Sequence, residues 1–305
     1  MFVIGADENG LGPLLGPMIA TAVIIETDSY DQMALRELGL TLSITDSKKT
    51  SAFGRMKFAE SLVLAVAERL SGTVPTNVDE FVRAFSVDAF EALSAPCPES
   101  TRAHCWGEAM PLPCYDGDID LGRRALDALE AGGVTLRGAK TRVICVQKLN
   151  EAHAAGINKL QLDLHSFEWL LEELRAHSPE DVLAICGMVG GLRKYTEYFT
   201  RFAARGASII EEEQGRSAYQ VPGVGKVAFE IDADDWHLPV ALASLVGKYV
   251  REILTDRQNR FYRRHDETLE RVSGYRDPRT KKFIHASKKL RRRLKIVKAC
   301  FERVA

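Results

Sequence analysis

The spacing of apolar and polar positions along the chain predicts strands and helices in alternation. Short apolar runs rich in β-branched residues predict strands at 1–6, 18–26, 141–146, 182–186, 207–210 and 227–231. Apolar residues at helical spacing predict helices near 56–66, 160–176 and 195–199, and a long helix from about 239. The first two strands flank a turn rich in Gly and Pro, which predicts a hairpin. The alternation as a whole predicts an α/β fold.

Length and composition predict one large soluble unit with a smaller appendage. The chain has 305 residues, of which 46% are hydrophobic and 27% are charged, so it can bury a large core. No apolar stretch reaches the length of a membrane span and no secretory signal opens the chain, so we expect a cytoplasmic monomer with no membrane contact. We place the main domain at 1–262, with an insertion at about 95–135, and the appendage at 263–305.

The formal net charge of −1 hides a segregation of charge along the chain. From Arg271 to the end there are 13 Lys and Arg residues but only two acids, Asp277 and Glu302, which gives +11 there and −12 in the rest. Within 288–298, cations alternate with apolar residues at helical spacing, which predicts a helix with one buried stripe. Its outer face either contacts nucleic-acid phosphates or is simply a solvated helix surface.

Two adjacent carboxylates, Asp7 and Glu8, stand where the first apolar strand stops. The Gly-rich turn that follows lets the backbone bend tightly beside them. Two carboxylates can hold a hard cation such as Mg²⁺, and bare amides in a Gly-rich turn can contact an anion. The alternative is a strand end with solvated acids. A second acidic cluster, Asp232 with Asp234 and Asp235, precedes the long helix at another strand-to-helix junction.

Four motifs, in this order, resemble the type 2 ribonucleases H, that is ribonucleases HII and HIII. The segment GADENGLGPLLGP at 5–17 resembles the family signature and is the specific match. The segment DSKK at 46–49 looks like its Asp-Ser-Lys segment, PVALASLVGKYVRE at 239–252 like the helix with its Ser and Lys positions, and GY at 274–275 like its Gly-Tyr pair. The resemblance implies a ribonuclease H-like mixed sheet flanked by helices, with a helical C-terminal segment.

The resemblance also implies an activity. Such enzymes use four carboxylates around two divalent ions, Mg²⁺ or Mn²⁺, to hydrolyse RNA in RNA/DNA hybrids or RNA-containing duplex DNA. Carried over by position, the catalytic metal ligands of this chain are Asp7, Glu8 and Asp234, with Asp232 or Asp235 as substitutes for Asp234. The positions that match substrate-binding residues are Gly10, Leu11, Gly12, Lys48, Ser244, Lys248 and Tyr275.

Two departures from the family pattern put that activity in question. Gly187 stands at the end of the strand 182–186, where the family has a metal-binding Asp, and no acid lies between Asp181 and Glu197. Leu11 replaces the Arg or Lys found between the two glycines of the family. Losing one ligand weakens the neutralisation of two close cations. An inactive relative that binds nucleic acid is therefore the alternative to a nuclease, and a protein that uses the fold without nucleic acid is a third possibility.

Overall fold

The structure is a computed structural model that describes residues 1–45, 53–100 and 102–304. Within them the strands are β1 (Phe2–Asn9), β2 (Met18–Thr27), β3 (Val134–Ile144), β4 (Val182–Gly187), β5 (Ser208–Glu213), β6 (Arg216–Val221) and β7 (Gly225–Glu230). They form one seven-stranded mixed sheet in the order β3-β2-β1-β4-β7-β6-β5. The pairs β1/β4 and β4/β7 are parallel, and the other neighbours are antiparallel.

Helices cover both faces of this sheet. They are α1 (Gln32–Thr41), α2 (Lys57–Ser71), α3 (Val78–Phe85), α4 (Phe90–Ser94), α5 (Ile119–Ala131), α6 (Val146–Ala154), α7 (Lys159–Arg175), α8 (Arg201–Ala204), α9 (Ala233–Trp236), α10 (Leu238–His265), α11 (Pro278–Ala286), α12 (Lys288–Arg293) and α13 (Lys298–Phe301). In the part of the chain that the structure describes, none of the helices has the length and apolar content needed to cross a bilayer. The α/β architecture with a helical C-terminal segment is confirmed.

Most of the predicted elements are present, with two exceptions. The hairpin of β1 and β2 is confirmed as an antiparallel pair, and the long helix α10 begins one residue before Pro239. The helix predicted at 195–199 is wrong, because those residues form turns. There the Tyr195 backbone N–H donates to the Tyr219 hydroxyl at 3.0 Å instead of to a helical carbonyl. Strand β6, which lies between β7 and the edge strand β5, was missed.

The side chains of β1 alternate between two cores on opposite faces of the sheet. Val3 packs in the core beneath α2 and α10, whereas Ile4 and Ala6 pack in the core beneath α7. Gly5 lets α10 approach β1, because a Cβ at this position would lie 2.1 Å from the carbonyl carbon of Pro239. The first turns of α10 are therefore held against the end of β1.

The C-terminal segment packs against the turn between β1 and β2. Phe283 and Phe301 share a small core with Leu15 from that turn and with Tyr262 from α10. The buried guanidinium of Arg303 donates to the carbonyl oxygen of Gly10 at 2.5 Å and to that of Gly16 at 2.7 and 3.0 Å. Arg303 therefore spans both ends of the turn and fixes its shape.

The insertion region is ordered in part by one buried carboxylate, Glu60 of α2. Its two oxygens accept hydrogen bonds from the backbone N–H groups of Cys114, Tyr115 and Gly117, all at 2.7 to 2.8 Å. The Tyr249 hydroxyl of α10 donates to the same carboxylate at 3.0 Å. Four hydrogen-bond donors thus satisfy the Glu60 carboxylate, which has no exposed surface. Three of these donors are backbone groups of the loop that leads into α5, so Glu60 holds that loop in place.

Replacing Arg303 by Met should lower the free energy of unfolding by about 2–4 kcal/mol, because two buried carbonyl groups lose their charged donor. Urea denaturation followed by circular dichroism measures the change. Arg293→Met, at an exposed position of α12, is the matched control and should stay within about 0.5 kcal/mol of the parent protein. Equal losses in both variants would show that the contacts of Arg303 add no stability.

Replacing Glu60 by Gln should also lower the free energy of unfolding, by about 2–3 kcal/mol, since an amide group would meet backbone donors that need an acceptor. Limited proteolysis should then cut within 112–118 faster than in the parent protein. Glu37→Gln, at an exposed position of α1, serves as the control. Unchanged protection of this loop would contradict the anchoring role of Glu60.

Candidate active site

An open cleft of about 810 Å³ lies at the edge of the sheet where the parallel strands β1, β4 and β7 end. The carboxyl edge of parallel strands is where side chains from several elements converge. The cleft is lined by Asp7, Glu8, Asn9, Gly10, Leu11, Gly12, Phe53, Gly187, Met188, Gly190, Gly191, Ile231, Asp232, Ala233, Asp234, Ser244, Lys248, Arg251, Glu252, Ser273 and Tyr275. The three predicted metal ligands thus share one cleft.

Asp7 is the electrostatic centre of this cleft. Burial, followed by the charges of Asp234 and Glu8, raises the pKa of Asp7 to about 8. Hydrogen bonds from the Ser244 hydroxyl and the Glu8 backbone N–H act in the opposite direction, and the Asn9 amide donates to Asp7 Oδ2 at 3.3 Å. A partly buried carboxylate beside two others is destabilised as an anion unless a proton or a cation balances the charge.

The strand geometry separates the two adjacent acids. Asp7 continues the β1 face that carries Val3 and is covered by α10. Ser244 of α10 and Asp234 of α9 interact with it there. Glu8 continues the opposite face, with Ile4 and Ala6, beneath α7. Burial raises the pKa of Asp163 of α7. The charges of Glu8 and then of Asp7 raise it further.

Asp163 is a carboxylate that sequence reasoning missed. It has no exposed surface, and neither of its oxygens has a hydrogen-bond partner among the described residues. A signal was present in the sequence, because Asp163 falls at helical spacing with Phe167, Leu170 and Leu174, on the buried stripe of α7. An acid on an apolar stripe needs a partner or a function.

Gly187 faces the Asp7 side of the cleft and lies directly against the Asp7 carboxylate. It pairs across β4 and β7 with Glu230, and a Cβ added to it would lie 2.9 Å from Asp7 Oδ1. A side chain at position 187 would therefore point at Asp7. Of the two substitutes considered, Asp232 lines the cleft, whereas Asp235 lies beside α1, where its backbone carbonyl accepts from Arg36 Nε at 2.8 Å.

The predicted substrate-binding positions fall around the same cleft, apart from Lys48, which lies outside the described residues. Gly10, Leu11, Gly12, Ser244, Lys248 and Tyr275 all line it. Gly10 has φ +98°, a conformation that favours Gly, and nothing lies within 4 Å of where a Gly12 Cβ would be. The turn is therefore open to the cleft at Gly12, whereas Gly10 is buried against Arg251. Ser244 orients Asp7 in this structure.

Arg251 is a second residue that sequence reasoning missed. Its guanidinium lies 4.7 Å from the centre of the Tyr275 ring and donates to the Ser273 carbonyl at 2.9 Å. The Gly274 carbonyl in turn accepts from the backbone N–H groups of Leu14 and Leu15. Tyr275, with 47% of its surface exposed, is thus held at the cleft rim by α10 and by the β1–β2 turn.

The donor chemistry of the cleft suits a divalent cation. Carboxylate oxygens are the ligands that Mg²⁺ and Mn²⁺ prefer, and burial, followed by the charges of Asp234 and Glu8, raises the pKa of Asp7. As the side chains stand, no three Asp, Glu, His or Cys residues within the described chain are arranged to hold an ion. Binding a cation therefore requires the carboxylates to move together, which flexible side chains at a cleft can do.

Comparison with known proteins points to one family. The ribonuclease HII family model matches residues 4–89. Ribonuclease HII of Geobacillus kaustophilus is 32% identical over 115 residues, 37% of this chain and 40% of that protein. Ribonuclease HII of Methanocella arvoryzae is 35% identical over 95 residues, 31% of this chain and 39% of that protein. This chain therefore spans about two fifths of the length of these relatives.

Two solved structures share the fold over nearly the whole chain. Ribonuclease HII of Archaeoglobus fulgidus, solved in a complex with PCNA, has a TM-score of 0.50 and 18% identity, with 100% of this chain and 94% of that one covered. Ribonuclease H2 of Pyrococcus horikoshii has a TM-score of 0.50 and 16% identity, with 99% and 92% covered. The ribonuclease HII match over residues 4–89 and the shared fold agree: the chain has the fold of these proteins and is similar in sequence to ribonucleases HII over its N-terminal part.

Proposed function

We propose that the protein is a metal-dependent endonuclease that hydrolyses the RNA strand of RNA/DNA hybrids or of RNA-containing duplex DNA. The observation that supports this most is the convergence of Asp7, Glu8 and Asp234 at the end of parallel strands, beside the turn of Gly10 and Gly12. We further propose that it acts in the cytoplasm as a monomer.

In this proposal Asp7, Glu8 and Asp234 hold Mg²⁺ or Mn²⁺. When bound, such ions supply a reactive water at neutral pH and stabilise charge on the phosphate oxygens. The residues around them position the ligands: the Ser244 hydroxyl and the Asn9 amide fix the Asp7 carboxylate. Because these groups belong to β1 and to the rigid start of α10, the Asp7 carboxylate is held before substrate arrives.

The surroundings of the cleft suit a nucleic acid. Lys248 and Arg251 line the same cleft as the turn of Gly10 and Gly12, and phosphate contacts position a duplex without reading its sequence. Tyr275 offers an exposed aromatic face, which suits a sugar near its 2′-hydroxyl or a base. Leu11 adds no charge, so the backbone of the turn supplies its contact with phosphate.

A second candidate function is binding of hybrid duplexes without cleavage. Gly187 favours it, because the family carboxylate that would point at Asp7 is missing. Salt-sensitive binding of a hybrid without cleavage in any divalent ion would support this reading.

Replacing Asp7 by Asn should abolish cleavage, with a loss of more than about 100-fold, since even residues that only orient a metal ligand are worth 10–100-fold. The assay uses a labelled duplex with a single ribonucleotide beside a continuous RNA/DNA hybrid, each with Mg²⁺ or Mn²⁺. Asp181→Asn, at an exposed position before β4, is the matched control. Cleavage at the parent rate in purified Asp7→Asn would contradict the proposal.

Replacing Tyr275 by Ala should weaken hybrid binding about 10-fold, because one stacking face and its cation partner are lost. Tyr275→Phe keeps the ring over Arg251 and should bind nearly as the parent protein does. Fluorescence anisotropy with a labelled hybrid measures both, and Ile210→Ala, exposed on β5, controls for a general surface effect. Equal affinity of the Ala and Phe variants would show that the ring does not contact substrate.

A further inference from the structure

The chain lacks one carboxylate that the family resemblance implies and contains a buried carboxylate, Asp163, outside the four motifs that carry the resemblance. Gly187 leaves the Asp7 side of the cleft one acid short. On the opposite face of the sheet, Asp163 of α7 is fully buried. The charges of Glu8 and Asp7 act on it directly, and it also acts on Cys186, the residue before Gly187. Asp163 therefore lies beneath the same strand ends that carry the other acids.

Nothing in the surrounding protein explains a carboxylate at this position. Neither Asp163 oxygen accepts a hydrogen bond from any group in the described residues. The charges that act on it are those of two acids, Glu8 and Asp7, so they repel a group that, when buried, needs a donor or a cation. A proton would remove the charge and let Asp163 donate one hydrogen bond to a single neighbouring acid. A divalent cation would satisfy both needs, because it neutralises the charge and takes oxygen ligands.

We propose that Asp163 supplies the carboxylate missing at Gly187 and binds a divalent cation together with Glu8. In this proposal Asp7 adds its negative charge to the same cation site. This inference rests on the proposed function, since it assigns a ligand to the same cation-dependent cleft. The position of Asp163 on the second turn of α7 gives the ligand a rigid origin, because that helix is capped by Asn158 and Gln161 and packed along the sheet. The cation reaches Asp163 from the cleft past Glu8, whose side chain must move to share it.

The test is binding of Mn²⁺ alone, measured by the loss of the free-ion electron paramagnetic resonance signal on titration. The full-length protein is compared with Asp163→Asn, which keeps the shape of the side chain, and with Asp163→Ser as a second variant. Glu173→Gln, an exposed acid on the same helix, is the matched control. Thermal unfolding in EDTA checks that each variant is folded, and the rise in Tm on adding Mn²⁺ gives a second readout.

We expect Asp163→Asn and Asp163→Ser to bind Mn²⁺ at least about 10-fold more weakly than the parent protein and to lose most of the Mn²⁺-induced rise in Tm. Glu173→Gln should match the parent protein. Parent-like Mn²⁺ affinity in a folded Asp163 variant would overturn this assignment and leave the proposed function intact. A parent protein that neither binds Mn²⁺ nor cleaves a hybrid would overturn both, so the two failures are distinguishable.

Discussion

Repulsion among acids that the fold brings together is the constraint on which the site depends. Asp7, Glu8 and Asp234 meet at one sheet edge, and Asp163 lies buried beneath them. No protein places like charges in low-dielectric surroundings without cost. The two apolar cores on either side of the sheet outweigh this cost, and the close approach of α10 at Gly5 keeps the acids from relaxing apart.

The positive charge of the C-terminal segment is less available for nucleic acid than its composition suggests. Arg271 pairs with Asp256 at 2.5 Å, and Arg291 is buried with its guanidinium 4.0 Å from the centre of the Phe301 ring. Arg303 is buried beneath the β1–β2 turn. These cations stabilise the protein itself, so a nucleic acid meets fewer of them than the sequence contains. Lys248 of α10, outside that segment, lines the cleft, whereas Arg251 lines it as a buried residue beneath the Tyr275 ring.

The sequence predicted the elements whose patterns are local and missed the features that depend on tertiary contacts. The hairpin and the long helix could be located because periodicity marks them. The acids Asp7, Glu8 and Asp234, carried over from the family resemblance, line one cleft and remain candidate site residues. The turns at 195–199 could not, because a hydroxyl from distant Tyr219 replaces the helical hydrogen bond there. Asp163 also escaped, since only the packing of α7 shows that its stripe faces the other acids.

The contact between Gly10 and Arg303 joins residues 293 positions apart. At synthesis rates of about 5–20 residues per second, Arg303 is added to the growing chain about 15–60 s after Gly10. During that interval β1 and β2 can pair, but the turn beside the acids lacks the guanidinium that sets its shape. The nascent chain therefore acquires its sheet first and its finished cleft last.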